Sequence, residues 1–431
     1  HYCLRLPFAF CLLPFAFSLY LPFLPMKILV LNAGSSSQKS CLYQLSNDEL
    51  PEQPLPPLWE AQVDWAHHPG VAQVEIKAQG TTTQEDMQTN SRAAVMAHVL
   101  ETLVSGATPV IQNLSEVDVV GHRVVHGGEH YRTSVLITDE VKHTIAQLAP
   151  LAPAHNPASL EGIEVISQSL PTIPQIAVFD TAFHSSMPRA AVTYPGPYEW
   201  LEQGIRRYGF HGISHQYCAQ RTASILETDL NALKLITCHL GNGCSLAAIA
   251  QGQSIDTTMG FTPLDGLMMG SRSGAVDPGI LIYLLRQHHD SPDKLDQVLN
   301  QASGLKGISG ISADMRQVAA AASGGNDRAT LALEIYVHRL RACIGSMLAS
   351  LGGLDAIVFS GGVGENAATI RASTCEAFRF LGLELDHQKN QQRPIDQDIA
   401  TPDSKVRVVV VHTQEDWAIA QECWRLLAAA E

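Results

Sequence analysis

Three arginines stand beside glycine or serine: Arg123 in GHRVVHGG, Arg272 in MMGSRSGAVDP and Arg316 in ISADMR. A guanidinium is a planar fork that matches carboxylate and phosphate. One such arginine is ordinarily a surface ion pair; three in glycine-lined loops point to anion recognition. Three small-residue turns carry the same implication. Asn32-Ala-Gly-Ser-Ser-Ser-Gln-Lys39 offers backbone N–H groups, hydroxyls that include Ser37, and the Lys39 ammonium. His239-Leu240-Gly241-Asn242-Gly243 has the same character, and Gly361-Gly362-Val363-Gly364-Glu365-Asn366 opens a following helix whose N-terminus favours negative charge. A lone turn of this kind usually only reverses the chain, and none has the GxxxxGK[ST] spacing of a P-loop. Three together imply that at least two bind phosphate. His155 in APAHNP, His211 in YGFHGISH and Asp180 at the end of an apolar run add titratable groups, although a single buried histidine most often serves structure alone.

The elements that must position these residues alternate between strand-like and helical patterns. Lys27 to Leu31 is an apolar strand running into the first turn, and Ser40 to Leu45 resumes an extended pattern after it. Leu235 to Leu240, the second turn, then Leu246 to Ala250 and Ser254 to Thr258 repeat that arrangement about 210 residues later. Buried strands are expected at Val117 to Val120, Ile176 to Phe179 and Ala356 to Phe359, helices at Ser91 to Val104 and Leu331 to Leu351, and a proline-rich loop at Asn47 to Pro57. The polar clusters fall at strand ends, where open α/β sheets bind ligands. The recurrence predicts a duplicated α/β fold with a cleft between the copies.

Composition removes several function classes. The chain has 431 residues, 45% hydrophobic and 16% charged, with a formal net charge of −14. That length suggests two or three domains with ample core. The acidic balance excludes a general nucleic-acid footprint and disfavours anionic membranes, so an anionic ligand has to be met by local cations. Nine cysteines without a CxxC pair or zinc spacing read as reduced thiols of a cytoplasmic protein. The first 25 residues are apolar, aromatic and broken by four prolines, with one arginine and no small-x-small cleavage site. We read residues 1–25 as an upstream-translated extension ahead of Met26 rather than a signal peptide or span.

The motifs MKILVLNAGSSSQKS, GHRVVHGGE, LAPAHNP, VFDTAFH, RRYGFHGISH, HLGNGCS, GFTPLDGLMMGSRSG, ISADMR and FSGGVGENA, in that order from Met26 onwards, resemble the acetate kinase family of short-chain carboxylate kinases. The resemblance implies an α/β chain of two duplicated domains with the acetate and sugar kinase/Hsp70/actin (ribonuclease H-like) fold and an interdomain active-site cleft. Its implied boundaries are 26–180, completed by a C-terminal helix at 416–431, and 181–415 for nucleotide binding and dimerisation. It further implies reversible phosphoryl transfer from ATP to acetate with Mg2+, Mn2+ being the alternative ion, in a homodimer that uses neither nucleic acid nor membrane.

Carried over position by position, the resemblance makes Asp180, Arg272, His211 and His155 catalytic. Arg123 receives the substrate carboxylate, with Val125, Ala154, Phe210 and Pro263 around the acyl group. Asn32 and Glu415 take the magnesium positions. Nucleotide binding falls to Lys39, Ser37, His239, Leu240, Gly241, Asn242, Gly243, Asp314, Met315, Arg316, Gly362, Val363, Gly364, Glu365 and Asn366. Two positions depart from the pattern: Ala154 stands where leucine is frequent and Ala275 where an acidic residue is common. The smaller Ala154 leaves room for one methylene, worth about 1 to 3 kcal/mol in an apolar pocket. A propionate or butyrate kinase therefore stays open. So does a non-catalytic actin-like nucleotide-binding protein, although Arg123, Asp180, His211 and Arg272 are all present. A sugar kinase would need a general base and polar lining in place of Val125, Phe210 and Pro263.

Overall fold

The computed structural model describes residues 25–34, 37–46, 48–65, 70–153, 155–288 and 290–428. The expectations for residues 1–24 and for Ala154 lie outside them. The chain forms two sheets. The first runs β5-β4-β3-β2-β1-β6-β8-β7, built from β1 (Met26–Ala33), β2 (Ser37–Leu45), β3 (Trp59–Asp64), β4 (Val71–Ala78), β5 (Thr81–Gln88), β6 (Val119–Val124), β7 (Val135–Leu136) and β8 (Gln175–Phe179). The second runs β11-β10-β9-β12-β14-β13, from β9 (Lys234–Leu240), β10 (Cys244–Ala250), β11 (Gln253–Thr257), β12 (Ala356–Ser360), β13 (Gln397–Asp398) and β14 (Arg407–Val410).

Their central strands share one plan. An antiparallel meander, β3-β2-β1 or β11-β10-β9, is continued by two parallel strands, β6-β8 or β12-β14. β8 and β12 are buried at every residue, as parallel strands covered on both faces must be. The turns after β1, β9 and β12, and the residues Arg123 and Asp180, sit at the carboxyl ends of their strands, whereas Arg272 stands in the long segment between β11 and the helix Pro278–Gln287.

Two helices join the sheets. The helix Gly212–Ile225 and the C-terminal helix Glu415–Ala428 share an apolar cluster with strands of both sheets, in which Ile213, Tyr217, Trp417 and Ile419 meet Ile28, Val30, Val358 and Val409. The C-terminal helix packs directly on β6 at Gly121, where a Cβ would come within 2.6 Å of the Cys423 sulfur and 2.7 Å of Ile419. That close approach explains a glycine in the middle of a buried strand. It also corrects the sequence reading at this point: the strand does not stop at Val120 but continues through Gly121 and His122, paired on both sides, to Arg123, paired with Val178 of β8, so Arg123 is a strand residue and not a loop residue. A second correction concerns Gly361–Asn366, expected as a turn, which is itself helical and is followed by the helix Ala368–Glu376. Glycine composition concealed it, because glycine's poor helix propensity is overridden here by packing on β12.

The seven described cysteines are free thiols, and all but Cys343 are buried. Burial pushes the Cys244 thiol up to about 11 and Cys238 well above its usual value, so neither is a ready nucleophile. Among the described residues no helix is long and apolar enough to cross a membrane.

Candidate active site

Arg123 near the end of β6 and Asp180 just after β8 are brought together because these strands are parallel neighbours, with Arg123 opposite Val178 and Val124 opposite Phe179. Arg123 Nη2 donates to Asp180 Oδ2 at 2.5 Å, with side-chain exposures of 12% and 1%. Burial pushes the Asp180 carboxyl up and the guanidinium opposes that shift. One edge of each group is left over: Arg123 Nε and Asp180 Oδ1 are buried without a hydrogen-bond partner. Orphaned donor and acceptor atoms in one buried pair mark a place where a ligand completes the bonding.

The second sheet contributes the opposite wall. His211 precedes the helix Gly212–Ile225 in the left-handed conformation, φ 57° and ψ 27°, a cost of order 1 to 3 kcal/mol held in place by its surroundings. Gly212 fixes it there: its N–H donates to the Asp180 carbonyl at 2.8 Å, and a Cβ would stand 2.2 Å from that oxygen. The His211 ring and Arg272 converge over Gly243 in the β9–β10 turn, where a Cβ would meet His211 Nε2 at 3.4 Å and Arg272 Nη1 at 3.7 Å. Only glycine leaves that space open. Arg272 Nη1 donates to the Pro263 carbonyl at 3.2 Å, which places Pro263 at the same wall. Val125 and Phe210 are buried in one apolar cluster with Ala152.

Charge ties the two walls into one site. Burial first, then Arg123 and Arg272, hold His155 down to about 4. Burial, His239, His215 and the same two arginines hold His211 well below its usual value. His155 precedes the helix Asn156–Ser169, and this segment is clamped to β6 by Asn156, which bonds the N–H and the carbonyl of His126, and by Ser159, which donates to the Arg123 carbonyl. Glu415 opens the C-terminal helix; its burial is outweighed by Arg123, His239, Asn32 and Lys39, which hold the carboxyl below the usual range. Asn32 Nδ2 reaches Glu415 at 3.4 Å and Asp416 at 2.8 Å. Asp416 was not anticipated, yet it follows Glu415 directly and shares its amide partner.

The nucleotide segments gather on the second sheet. The Asn242 amide oxygen and the Ala313 carbonyl both crowd Gly270, and Gly361 lies over the Leu240 carbonyl, so the turn 241–243, residues 314–316 and the helix Gly361–Asn366 adjoin one another. Leu240 and Met315 bury their side chains in the core, and Val363 packs against it. Asp314 caps the helix Met315–Ser323 by accepting from the Arg316 N–H at 2.8 Å, and its carboxylate pairs with the exposed Arg316 guanidinium. Glu365 is committed internally, to the N–H groups of Gly361 and Thr413 and to His412 Nδ1 at 2.6 Å. Asn366 returns to the Gly362 carbonyl. Gly362 has open space around its Cα. Lys39 is exposed on β2, directly opposite Asn32, and Ser37 accepts the Gly34 N–H through its carbonyl. Arg371 was missed: it is 1% exposed and bonds the Gly364 and Glu365 carbonyls and Asn390, locking the end of the helix Gly361–Asn366. No sequence signal separates such a buried arginine from a surface one.

Two α/β sheets of one plan, joined by shared helices, place the chain in the duplicated acetate and sugar kinase/Hsp70/actin type of fold. The chain belongs to the acetokinase family, whose profile matches residues 27–421. An acetate kinase from Nostoc sp. is 65% identical over 403 residues, 93% of this chain and 100% of the relative. The crystal structure of the Porphyromonas gingivalis acetate kinase superposes with a TM-score of 0.84 at 39% identity, covering 93% of this chain and 100% of that one. A propionate kinase from Francisella tularensis gives 0.83, also at 39%, with 92% and 98% covered. The protein is thus a phosphotransferase of the kind whose acceptor is a carboxyl group.

Proposed function

We propose that this protein catalyses reversible transfer of the γ-phosphoryl group of ATP to acetate, giving acetyl phosphate and ADP. The observation that carries the reading is Arg123: a largely buried guanidinium with one edge on Asp180, its Nε unpartnered, and apolar Val125 two residues further along the chain. That is a seat for one carboxylate with a short apolar tail. A carboxylic acid with a pKa of about 4 to 5 is already ionised at neutral pH, so no general base is required. Arg123 orients the nucleophile, while Arg272 and His211, converging over Gly243, meet the charge that spreads over the equatorial oxygens of the phosphoryl group in flight. Asp180 holds Arg123 in its fork and is a positioning carboxylate. The overturn of this reading is direct: hydroxylamine trapping with MgATP that yields no hydroxamate from acetate, propionate or butyrate.

The donor set fits magnesium. Glu415 is held ionised, Asn32 touches it, and Asp180 Oδ1 is an unsatisfied buried oxygen. Among the described residues no three histidine, cysteine or carboxylate side chains form a closed cage. Mg2+ ordinarily takes one or two carboxylates and completes its shell with waters and substrate phosphates. When bound it would neutralise phosphate charge. Comparing kcat/KM for acetate and propionate settles acyl length, and 65% identity to an acetate kinase favours acetate.

The domain boundaries we propose are 26–180 with the C-terminal helix, and 181–415, supported by the two sheets and by the packing of the C-terminal helix on β1 and β6. We further propose a homodimer and a cytoplasmic location. The helix Pro278–Gln287 buries none of its residues and exposes Ile280 at 49%, Ile282 at 50% and Tyr283 at 58%. A second copy is the occupant such an apolar face calls for. Light scattering after chromatography should give twice the chain mass, and an Ile282→Glu, Tyr283→Glu variant should give the monomer mass. The free thiols suit a reducing compartment.

A further inference from the structure

Behind His211 lies a run of hydrogen bonds that leaves the cleft and ends inside the second sheet. His211 Nδ1 is 2.9 Å from Ser245 Oγ, Ser245 Oγ is 2.7 Å from His215 Nε2, and His215 Nδ1 is 2.7 Å from Thr237 Oγ1. Ser245 and Thr237 are wholly buried on adjacent strands β10 and β9, and His215 is 1% exposed one turn into the helix that His211 opens.

The hydrogens in this run can be placed by counting donors. Among the described residues the Thr237 hydroxyl has one hydrogen-bond partner, His215 Nδ1. A buried hydroxyl that donates to nothing is costly, so its proton belongs on that bond and His215 Nδ1 must be the acceptor. His215 is then neutral with its proton on Nε2, which donates to Ser245 Oγ. The serine hydroxyl has one direction left and donates to His211 Nδ1. His211 is therefore neutral and carries its proton on Nε2, the nitrogen beside Gly243 and Arg272. An independent pair shows the same logic: His184 Nε2 faces the Phe210 carbonyl at 3.0 Å and must donate to it, so Ser254 donates to His184 Nδ1 at 2.8 Å. Burial holds both His211 and His215 well below the usual histidine range, in agreement with neutral rings.

We propose that Thr237, His215 and Ser245 are positioning residues that fix His211 as the Nε2–H tautomer, so that it presents a hydrogen-bond donor to the transferring phosphoryl group. The role rests on the phosphotransfer reading; the placement of the protons does not. With the other tautomer, a lone pair would face the phosphoryl oxygens and one of the two donors over Gly243 would be lost.

Long-range proton–nitrogen NMR of histidine-labelled full-length protein tests the placement without substrate. His211 and His215 should each show a bare Nδ1 and a protonated Nε2; a protonated Nδ1 on His211 overturns the proposal whether or not the protein makes acyl phosphate. Kinetics test the consequence. Ser245→Ala should lower kcat roughly tenfold with the KM values for ATP and acetate within about twofold, and Ser245→Thr, which keeps a hydroxyl, should restore most of the rate. Thr237→Val is a near-isosteric change further from the cleft and covers the case in which Ser245→Ala does not fold. It should lower kcat about threefold and mix the two tautomers of His215. Wild-type turnover together with an unchanged nitrogen spectrum in Thr237→Val overturns the proposal.

Discussion

Two arginines face one cleft under opposite conditions. Arg123, on the first sheet, has a carboxylate of its own: Asp180 sits 2.5 Å away and is 1% exposed. Arg272, on the second wall, donates from its guanidinium to the Pro263 carbonyl, and burial holds that guanidinium below its usual value with no carboxylate among the described residues paired to it. The first is fixed before any ligand arrives and can orient a weakly held carboxylate. The second is a half-buried cation with no carboxylate paired to it among the described residues, a charge that a phosphoryl group would balance. The sheets share a plan, so the asymmetry comes from single residues placed at strand ends and turns.

The largest break in that comparison comes from Arg272→Ala. Loss of a cation that meets charge only in transfer should lower kcat by about 10³ or more, by the scale of arginine fingers, and should move the urea midpoint little, because no buried partner is stranded. Steady-state assays beside urea unfolding at constant slope check both parts. Near-normal turnover would remove Arg272 from the reaction. Asp180→Asn should invert the balance. It strands the buried Arg123 charge, a loss of about 3 kcal/mol of stability, seen as a lower urea midpoint along with lost activity.

The strand-turn-strand units at β1–β2 and β9–β10 were legible because buried strands are written as mainly apolar runs, such as ILVL at 28–31 and LITCHL at 235–240. Arg123, Asp180, His211 and Arg272 were legible as a set through the family motifs, and the structure gathers all four around one cleft. β3, β4 and β5 were not. β5 is mostly exposed on both faces, so TTTQEDMQ carries no period-two apolar signal. The helix Gly361–Asn366 was hidden by its glycines. Ser245, Thr237 and His215 were unreadable as a unit because their relation is a cross-strand register, Ser245 opposite His239 and Thr237 opposite Ala247, which a linear pattern does not display.

Neutral buried histidines sharpen the comparison through pH. His122, bonded to Gln175 at 2.8 Å and shifted by burial against that bond, and His155, under the field of both arginines, are each held down to about 4 from 6.5, burial being the first cause in both. In that window the unfolded chain binds more protons than the folded one, so stability rises with pH and is lost as pH falls from about 6.5 towards 4. A Tm series over that range should decline steadily. In His122→Gln, the slope should ease by the share of one proton while activity at neutral pH holds; an unchanged slope would show that His122 is charged in the fold.

The smallest effect is expected at Gly362. Its φ is not in the left-handed region and nothing in the protein lies within 4 Å of where a Cβ would be, so Gly362→Ala meets no strain from the protein itself. Alanine also restricts the unfolded chain and favours helix, which should raise stability by up to about 1 kcal/mol. A position where alanine fits and stabilises, yet glycine stands, calls for an approach that the protein alone does not show. If a nucleotide lies along the backbone of Gly361–Asn366, the added methyl should raise the KM for ATP several-fold and leave the KM for acetate unchanged. Equal KM values in a stabilised variant would place the nucleotide elsewhere and confine the anion site to the walls held by Arg123 and Arg272.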